Sequence, residues 1–107
     1  MYKMVLCCQN GASTDLLAVE MEKAAEQKGI EVSINAYPYT KLDVVIDDAD
    51  LILLAPQVRF KLKTFEKQYA DKGVPFMTVD PSDYGLLKGD KVLSECVAKI
   101  ESSKTEK

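Results

Sequence analysis

Short apolar runs alternate along the chain with longer segments whose apolar residues recur at helical spacing. Residues 4–8 and 51–55 are entirely apolar, which predicts two strands buried on both faces of a sheet. Residues 31–37 alternate apolar and polar side chains, and residues 75–79 begin with proline, so these two strands suit the edges of a sheet. The amphipathic segments that follow the strands predict helices, and residues 80–89, which contain one proline and two glycines, predict a loop.

The order of these elements predicts an α/β fold, with a four-stranded parallel sheet and helices on both faces. The apolar first and third strands belong in the centre, and right-handed crossovers then give the strand order 2-1-3-4. We expect one domain over residues 1–107, with a frayed polar tail at 101–107. In such sheets ligands bind beyond the carboxyl ends of the strands where the order reverses, here between the first and third strands.

Composition and charge exclude several classes of function. A net charge of −3 gives no basic surface for nucleic acid. No apolar run reaches the ~20 residues that a membrane crossing needs, and the first residues do not form a secretory leader. The chain has no histidine, which excludes Ser–His and Cys–His pairs and most zinc sites. We expect a cytoplasmic protein with no membrane insertion, no metal and no cofactor.

Three cysteines remain as candidate nucleophiles, an odd number that argues against a disulfide scaffold. Cys8 ends the first strand, beside the predicted reversal of strand order. Cys7 faces the other side of that strand, and Cys96 lies on the apolar face of the last helix. We therefore expect Cys7 and Cys96 in the core and chemistry at Cys8.

The residues after Cys8 suit an anion. They lead from the strand into the start of a helix, where backbone N–H groups and the helix dipole favour negative charge. Gly11 permits a tight turn, and two residues carry hydroxyl donors. The pattern predicts a phosphoryl group on the Cys8 sulfur. The predicted phosphoryl-binding residues are Gln9, Asn10, Gly11, Ala12, Ser13 and Thr14.

This loop differs from that of the C-x5-R phosphatases, because Thr14 stands at the position of their arginine. Without that arginine, a histidine or an acid at the loop, nothing in the sequence is expected to speed hydrolysis. We therefore infer a carrier that holds the phosphoryl group until an acceptor docks. Two alternatives stay open, a low-molecular-weight phosphatase-like or arsenate-reductase-like enzyme at Cys8, and a thiol redox or binding module at Cys7 and Cys8.

Residues 6–17, Leu-Cys-Cys-Gln-Asn-Gly-Ala-Ser-Thr-Asp-Leu-Leu, resemble the phosphocysteine loop of the IIB components of the bacterial sugar phosphotransferase system. The resemblance is to the lactose/cellobiose/diacetylchitobiose branch. Residues 53–57, Leu-Leu-Ala-Pro-Gln, resemble its third strand and the Pro-Gln turn that follows. Tyr84 and Gly85 occur where the family has a similar pair. In length and order of elements the resemblance covers essentially the whole chain.

The resemblance implies a phosphotransferase of sugar transport. Cys8 would accept a phosphoryl group from the phosphohistidine of a IIA component and pass it to a disaccharide of the cellobiose, lactose or chitobiose type. The IIC membrane permease would hold that sugar. Residues 9–14 would cradle the phosphoryl group, and Pro56 and Gln57 would border the site. Whether Asp15 and Arg59 touch the site stays open at this point.

Overall fold

The computed structural model describes residues 1–9 and 15–105, with side chains as far as residue 103. The strands are β1 (Tyr2–Cys8), β2 (Val32–Pro38), β3 (Leu51–Leu54) and β4 (Phe76–Thr78). The α-helices are α1 (Asp15–Lys28), α2 (Leu42–Val45), α3 (Leu62–Gln68), α4 (Pro81–Gly85) and α5 (Gly89–Thr105). Segments of 3-10 helix flank α2 and α3, and the segment Pro56–Lys61 directly precedes α3.

The four strands form one sheet in the order β2-β1-β3-β4, and neighbouring strands run parallel. This confirms the predicted fold class and strand order. The two apolar strands occupy the centre, and all four residues of β3 are fully buried. The fourth strand, predicted over residues 75–79, is shorter and spans Phe76–Thr78. Pro75 lacks a backbone N–H, so it can only accept a hydrogen bond, which its carbonyl receives from the Ile52 N–H.

Side chains of the central strands alternate between two cores on opposite faces of the sheet, as pleated strands require. The exception is Cys8, the last residue of β1, which lies in the same core as Cys7 and not on the opposite face as predicted. We name each core after the helices that cover it. The α1–α5 core contains Met4, Leu6, Leu17, Met21, Leu53, Leu93 and Cys96. The α2–α3 core contains Val5, Cys7, Cys8, Leu42, Ile52, Leu54, Val58, Phe65 and Phe76. Helices therefore cover both faces, as predicted.

Gly89 allows the start of α5 to touch the backbone of α1. A Cβ atom at Gly89 would lie 2.4 Å from the carbonyl carbon of Glu20 and 2.6 Å from the backbone nitrogen of Met21. Real Cβ atoms do not approach other atoms so closely, so only glycine fits this position. The contact fixes the junction of α4 and α5 against α1.

The structure corrects the prediction of a loop over residues 80–89, because Pro81–Gly85 forms α4. The Asp80 carboxylate caps this helix by accepting hydrogen bonds from the backbone N–H groups of Ser82 at 2.8 Å and Asp83 at 3.3 Å. Proline at the first helical position already has the backbone angle that a helix needs. The Asp-Pro pair was therefore a helix start and not a turn.

Residues 101–105 of the predicted frayed tail belong to α5, which continues to Thr105, and the last two residues of the predicted tail lie outside those that the structure describes. The Tyr2 hydroxyl donates a hydrogen bond to the Glu101 carboxylate, which holds this part of the helix against β1. That hydrogen bond, together with the Glu101 charge, raises the pKa of Tyr2. Among the described helices, none combines the length and apolar character that a membrane crossing requires.

Candidate functional site

Cys8 is the last residue of β1, at the carboxyl end of a central strand. The strand order reverses between β1 and β3, so this end of the sheet is the expected ligand position. The backbone N–H of Ala55, the first residue after β3, donates to the Cys7 carbonyl at 2.8 Å. The N–H of Val79, just after β4, donates to the Leu54 carbonyl at 3.0 Å. The carboxyl ends of β1, β3 and β4 therefore lie side by side.

The predicted phosphoryl-binding loop begins at Gln9, which is exposed immediately after β1. Its other members, Asn10, Gly11, Ala12, Ser13 and Thr14, lie outside the described residues. Helix α1 begins at Asp15, whose side chain is exposed in the first helical turn. A carboxylate there is stabilised by the helix dipole and by water.

Pro56 and Gln57 begin the 3-10 segment after β3, next to the end of β1. Pro56 is half-buried and Gln57 is exposed, whereas Val58 is buried in the α2–α3 core and anchors the segment. The hydrogen bond from Ala55 to Cys7 places the Pro56–Gln57 turn beside the strand that carries Cys8. The Arg59 side chain is exposed on the same segment.

Cys7 and Cys96 are core residues, as predicted, and both carry free thiols. Burial raises the pKa of Cys7 to about 12, and the neighbouring Cys8 adds to the rise. Burial likewise raises the pKa of Cys96 to about 12, with a smaller contribution from Glu95. A thiol that stays protonated at neutral pH is a poor nucleophile. These two cysteines therefore do not compete for the chemistry expected at Cys8.

The Cys8 residue itself is 1% exposed and belongs to the α2–α3 core together with Ala55 and Val58. Its position at the strand end, and not its exposure, distinguishes it from Cys7. A reaction partner has to reach the sulfur from the carboxyl end of the sheet, where β1 and β3 end. The described residues bring together no group of three Cys, Asp or Glu side chains that could hold a metal ion.

Helix α4 adds residues to this end of the sheet that a loop prediction could not place. Tyr84 packs against both cores, and its hydroxyl oxygen is buried without a hydrogen-bond partner among the described residues. The preceding residue, Asp83, is 3% exposed, and its two carboxylate oxygens lie 3.1 Å and 3.2 Å from the Lys91 ammonium. The sequence singled out Tyr84 only through the family resemblance.

A groove of about 410 Å³ runs between α1 and the start of α5. Glu20 and Lys23 line one side, and Leu87 and Lys91 line the other. Its charges are mixed, and Cys8 is not among its lining residues. The candidate chemistry therefore lies at the end of the sheet and not in this groove.

Comparison with known proteins decides the family. Residues 3–95 match the family model described as "PTS system, Lactose/Cellobiose specific IIB subunit". The chain belongs to this IIB family. It is therefore a sugar-specific component of the phosphotransferase system, of the lactose/cellobiose type, and components of this kind work together with IIA and IIC components.

Relatives within the family differ in the sugar for which they are named. The chain is 35% identical over 96 residues to the galactose-specific EIIB component of Lactococcus lactis subsp. cremoris. This match covers 85% of this chain and 89% of the relative. The chain has the same identity and coverage with the cellobiose-specific EIIB component of Lactococcus lactis subsp. lactis. The solution structure of the cellobiose-specific IIB component from Borrelia burgdorferi is 36% identical, with a TM-score of 0.80 over 95% of this chain and 94% of that chain.

Proposed function

We propose that Cys8 carries a phosphoryl group from a phosphohistidine of a IIA component to a disaccharide held by the IIC permease. The observation that carries the proposal is the contrast between the cysteines. Cys8 ends a central strand where the order of strands reverses, whereas Cys7 lies one residue inside that strand and Cys96 lies on α5, and burial raises the pKa of both to about 12. Family membership supplies the donor and the acceptor class.

The proposed transfer has two displacements at phosphorus. The Cys8 thiolate attacks the phosphorus of phosphohistidine, an S–P bond forms, the N–P bond breaks, and the histidine nitrogen keeps the electron pair. A sugar hydroxyl then attacks the same phosphorus, an O–P bond forms, the S–P bond breaks with its electron pair on the Cys8 sulfur, and the hydroxyl proton passes to solvent water. The second step regenerates the Cys8 thiolate that the first step consumed, so Cys8 acts as a carrier.

The proposed cradle consists of residues 9–14, which connect the end of β1 to the first turn of α1. Backbone N–H groups at a helix start are suited to a phosphoryl dianion. Pro56 and Gln57 are proposed to border this cradle, because the Ala55–Cys7 hydrogen bond sets their turn beside β1. Thr14 in place of an arginine supports storage of the phosphoryl group over its rapid loss to water.

We propose a disaccharide of the cellobiose, lactose or chitobiose type as the acceptor. The chain is equally similar to relatives named for galactose and for cellobiose, so sequence identity does not favour one sugar. The sugar itself is expected to be recognised mainly by the permease. Transfer assays with each sugar and its permease would distinguish these acceptors.

The test is phosphorylation by phosphoenolpyruvate, the general phosphotransferase proteins and a IIA component of this family. Peptide mass mapping should find one phosphate on Cys8. Cys8→Ser should abolish labelling and transfer while leaving the circular dichroism spectrum unchanged. Cys7→Ala, one residue away, is the matched control and should still be labelled.

A second control uses Cys96→Ser, which places a hydroxyl in the α1–α5 core. It should lower the free energy of unfolding but keep the label on Cys8. Phosphate on any other residue would refute the assignment. So would a fully folded Cys96→Ser variant that had lost transfer.

A further inference from the structure

The Tyr84 hydroxyl is a buried polar group without a hydrogen-bond partner among the described residues. A buried hydroxyl that lacks a partner destabilises a protein, because it has lost its hydrogen bonds to water. Such groups are rare in native structures, and each one requires an explanation such as a bound ion or ligand. The hydroxyl is also a strong donor for an anionic oxygen.

The path of the chain places Tyr84 at the carboxyl end of the sheet. Strand β4 ends at Thr78 on the outer side of the sheet, while Gly89 packs against α1 on the other side of β3. The residues between these two points include α4, which begins at Pro81, two residues after the hydrogen bond from the Val79 N–H to the Leu54 carbonyl at the carboxyl end of β3. Tyr84 contacts the cores on both faces of the sheet, as a side chain at its end can.

The two cores also hold the Tyr84 ring in place, so its hydroxyl is positioned before any partner arrives. The Asp83 carboxylate, next to Tyr84 in the sequence, is paired with Lys91 at the start of α5 and not with the Tyr84 hydroxyl. The pairing also offsets the negative charge closest in sequence to Tyr84. An anion at this end of the sheet would therefore meet a fixed neutral donor next to a compensated carboxylate.

We propose that the Tyr84 hydroxyl donates a hydrogen bond to a phosphoryl oxygen on phosphorylated Cys8. The inference rests on the proposed function of Cys8 and adds a phosphoryl-binding residue from outside the loop at 9–14. A neutral hydroxyl stabilises the bound dianion without the full positive charge that an arginine would bring to the transition state for hydrolysis. Tyr84 thus favours holding the group over releasing it to water.

The test is Tyr84→Phe, which removes the hydroxyl and keeps the ring. The substituted protein is mixed with a phosphorylated IIA component, and the fraction of phosphate on each protein is measured by mass at equilibrium. Loss of a charge-assisted hydrogen bond should shift this partition toward IIA by roughly tenfold. The melting temperature of the unphosphorylated variant should equal or exceed that of the unsubstituted protein, because an unpartnered hydroxyl has been removed.

Tyr2→Phe is the matched control, since it removes a hydroxyl at the opposite end of the sheet. It should leave the phosphoryl partition unchanged. A second measurement needs no variant. The ring signals of Tyr84 in NMR spectra of the unsubstituted protein should shift on phosphorylation, and those of Tyr2 should not.

The possible failures are distinguishable. If the unsubstituted protein takes no phosphate on Cys8, the proposed function is refuted and the role of Tyr84 with it. If Cys8 is labelled normally and Tyr84→Phe leaves the partition unchanged, the role of Tyr84 alone is refuted. The same conclusion follows if Tyr84→Phe destabilises the unphosphorylated and phosphorylated proteins equally, because the hydroxyl then serves only the fold.

Discussion

Polar groups at the two ends of the sheet differ in whether they have hydrogen-bond partners within the chain. At the amino end, the Lys3 backbone N–H donates to the Asp50 carboxylate at 2.9 Å, and the Asp50 N–H donates back to the Lys3 carbonyl at 2.7 Å. The Tyr2 hydroxyl donates to Glu101 at the same end. At the carboxyl end, the buried Tyr84 hydroxyl has no partner among the described residues.

Exposed apolar side chains occur at both ends, since Met1, directly before β1, is 73% exposed. Leu16, in the first turn of α1, is 64% exposed, and Phe60, on the segment after β3, is 71% exposed. Both segments leave the carboxyl end of the sheet. The two ends therefore differ in their polar groups: those named at the amino end are paired within the chain, whereas the Tyr84 hydroxyl at the carboxyl end is paired with none of the described residues. We expect substitutions at the amino end to change stability alone, and substitutions of the candidate site to change transfer.

Among the substitutions outside the candidate site, Gly89→Ala is expected to lower stability most, and it would test whether the close packing of α5 on α1 supports the carboxyl end of the sheet. The new Cβ would meet the α1 backbone at 2.4 Å, so the helices would have to separate. We expect the free energy of unfolding in urea to fall by roughly 2–3 kcal/mol.

The matched control is Gly85→Ala at the end of α4, where an added Cβ has no neighbour within 4 Å. This change should stay within about 0.5 kcal/mol of the unsubstituted protein. Equal effects of the two substitutions would show that the close α1–α5 contact does not support this end of the sheet.

The next effect is a loss of stability at alkaline pH. The pKa values of the Cys7 and Cys96 thiols rise from 9.0 to about 12 on folding. Below pH 9 both states keep these protons, so the thiols do not make the free energy of unfolding depend on pH. Between pH 9 and 12 the unfolded chain loses protons that the folded chain retains, and the free energy of unfolding falls by up to about 1.4 kcal/mol per pH unit for each thiol.

Urea unfolding at several pH values measures this slope. Cys96→Ala and Cys7→Ala should each flatten it, although Cys96 lies in the α1–α5 core and Cys7 lies next to Cys8. If neither substitution changes the slope, other groups cause the alkaline loss. A flatter slope for Cys96→Ala alone would mean that the two thiols differ in burial, and that Cys7 shares the more open environment of the candidate site.

The arrangement of the sheet could be predicted because the pattern of apolar residues in each strand indicates whether the strand is central or at an edge. Two apolar runs fix the central strands, and Pro75 excludes a central position for the fourth. Helix α4 could not be predicted as easily, since proline and glycine are typical of both turns and helix ends. The feature that identifies the helix is the Asp80 cap, but an aspartate before proline is also common in turns, so the cap is recognised only once the helix is seen.

The candidate site was predictable only in part. The position of Cys8 followed from its place at the end of an apolar strand, and the core positions of Cys7 and Cys96 followed from strand alternation and helical spacing. The unpartnered hydroxyl of Tyr84 depends on how residues 79–88 cross the sheet, which is a tertiary feature. No local pattern around Tyr84 reports that it contacts both cores.

The smallest expected effect concerns the amino end and tests the comparison directly. Asp50→Ala removes the acceptor for the Lys3 N–H, while the backbone hydrogen bond from residue 50 to the Lys3 carbonyl can remain. Because this site is partly exposed, water can replace the lost carboxylate, and we expect the free energy of unfolding to fall by only about 1 kcal/mol. Asp48→Ala, at an exposed position two residues earlier, should change it by less than about 0.5 kcal/mol.

Both variants should take phosphate on Cys8 to the same extent as the unsubstituted protein, measured by mass after incubation with a phosphorylated IIA component. The reason is distance along the strand, since Lys3 and Cys8 lie near opposite ends of β1. A folded Asp50→Ala protein with impaired labelling would mean that strain at one end of β1 reaches the other. The division between an end that maintains the fold and an end that performs transfer would then be wrong.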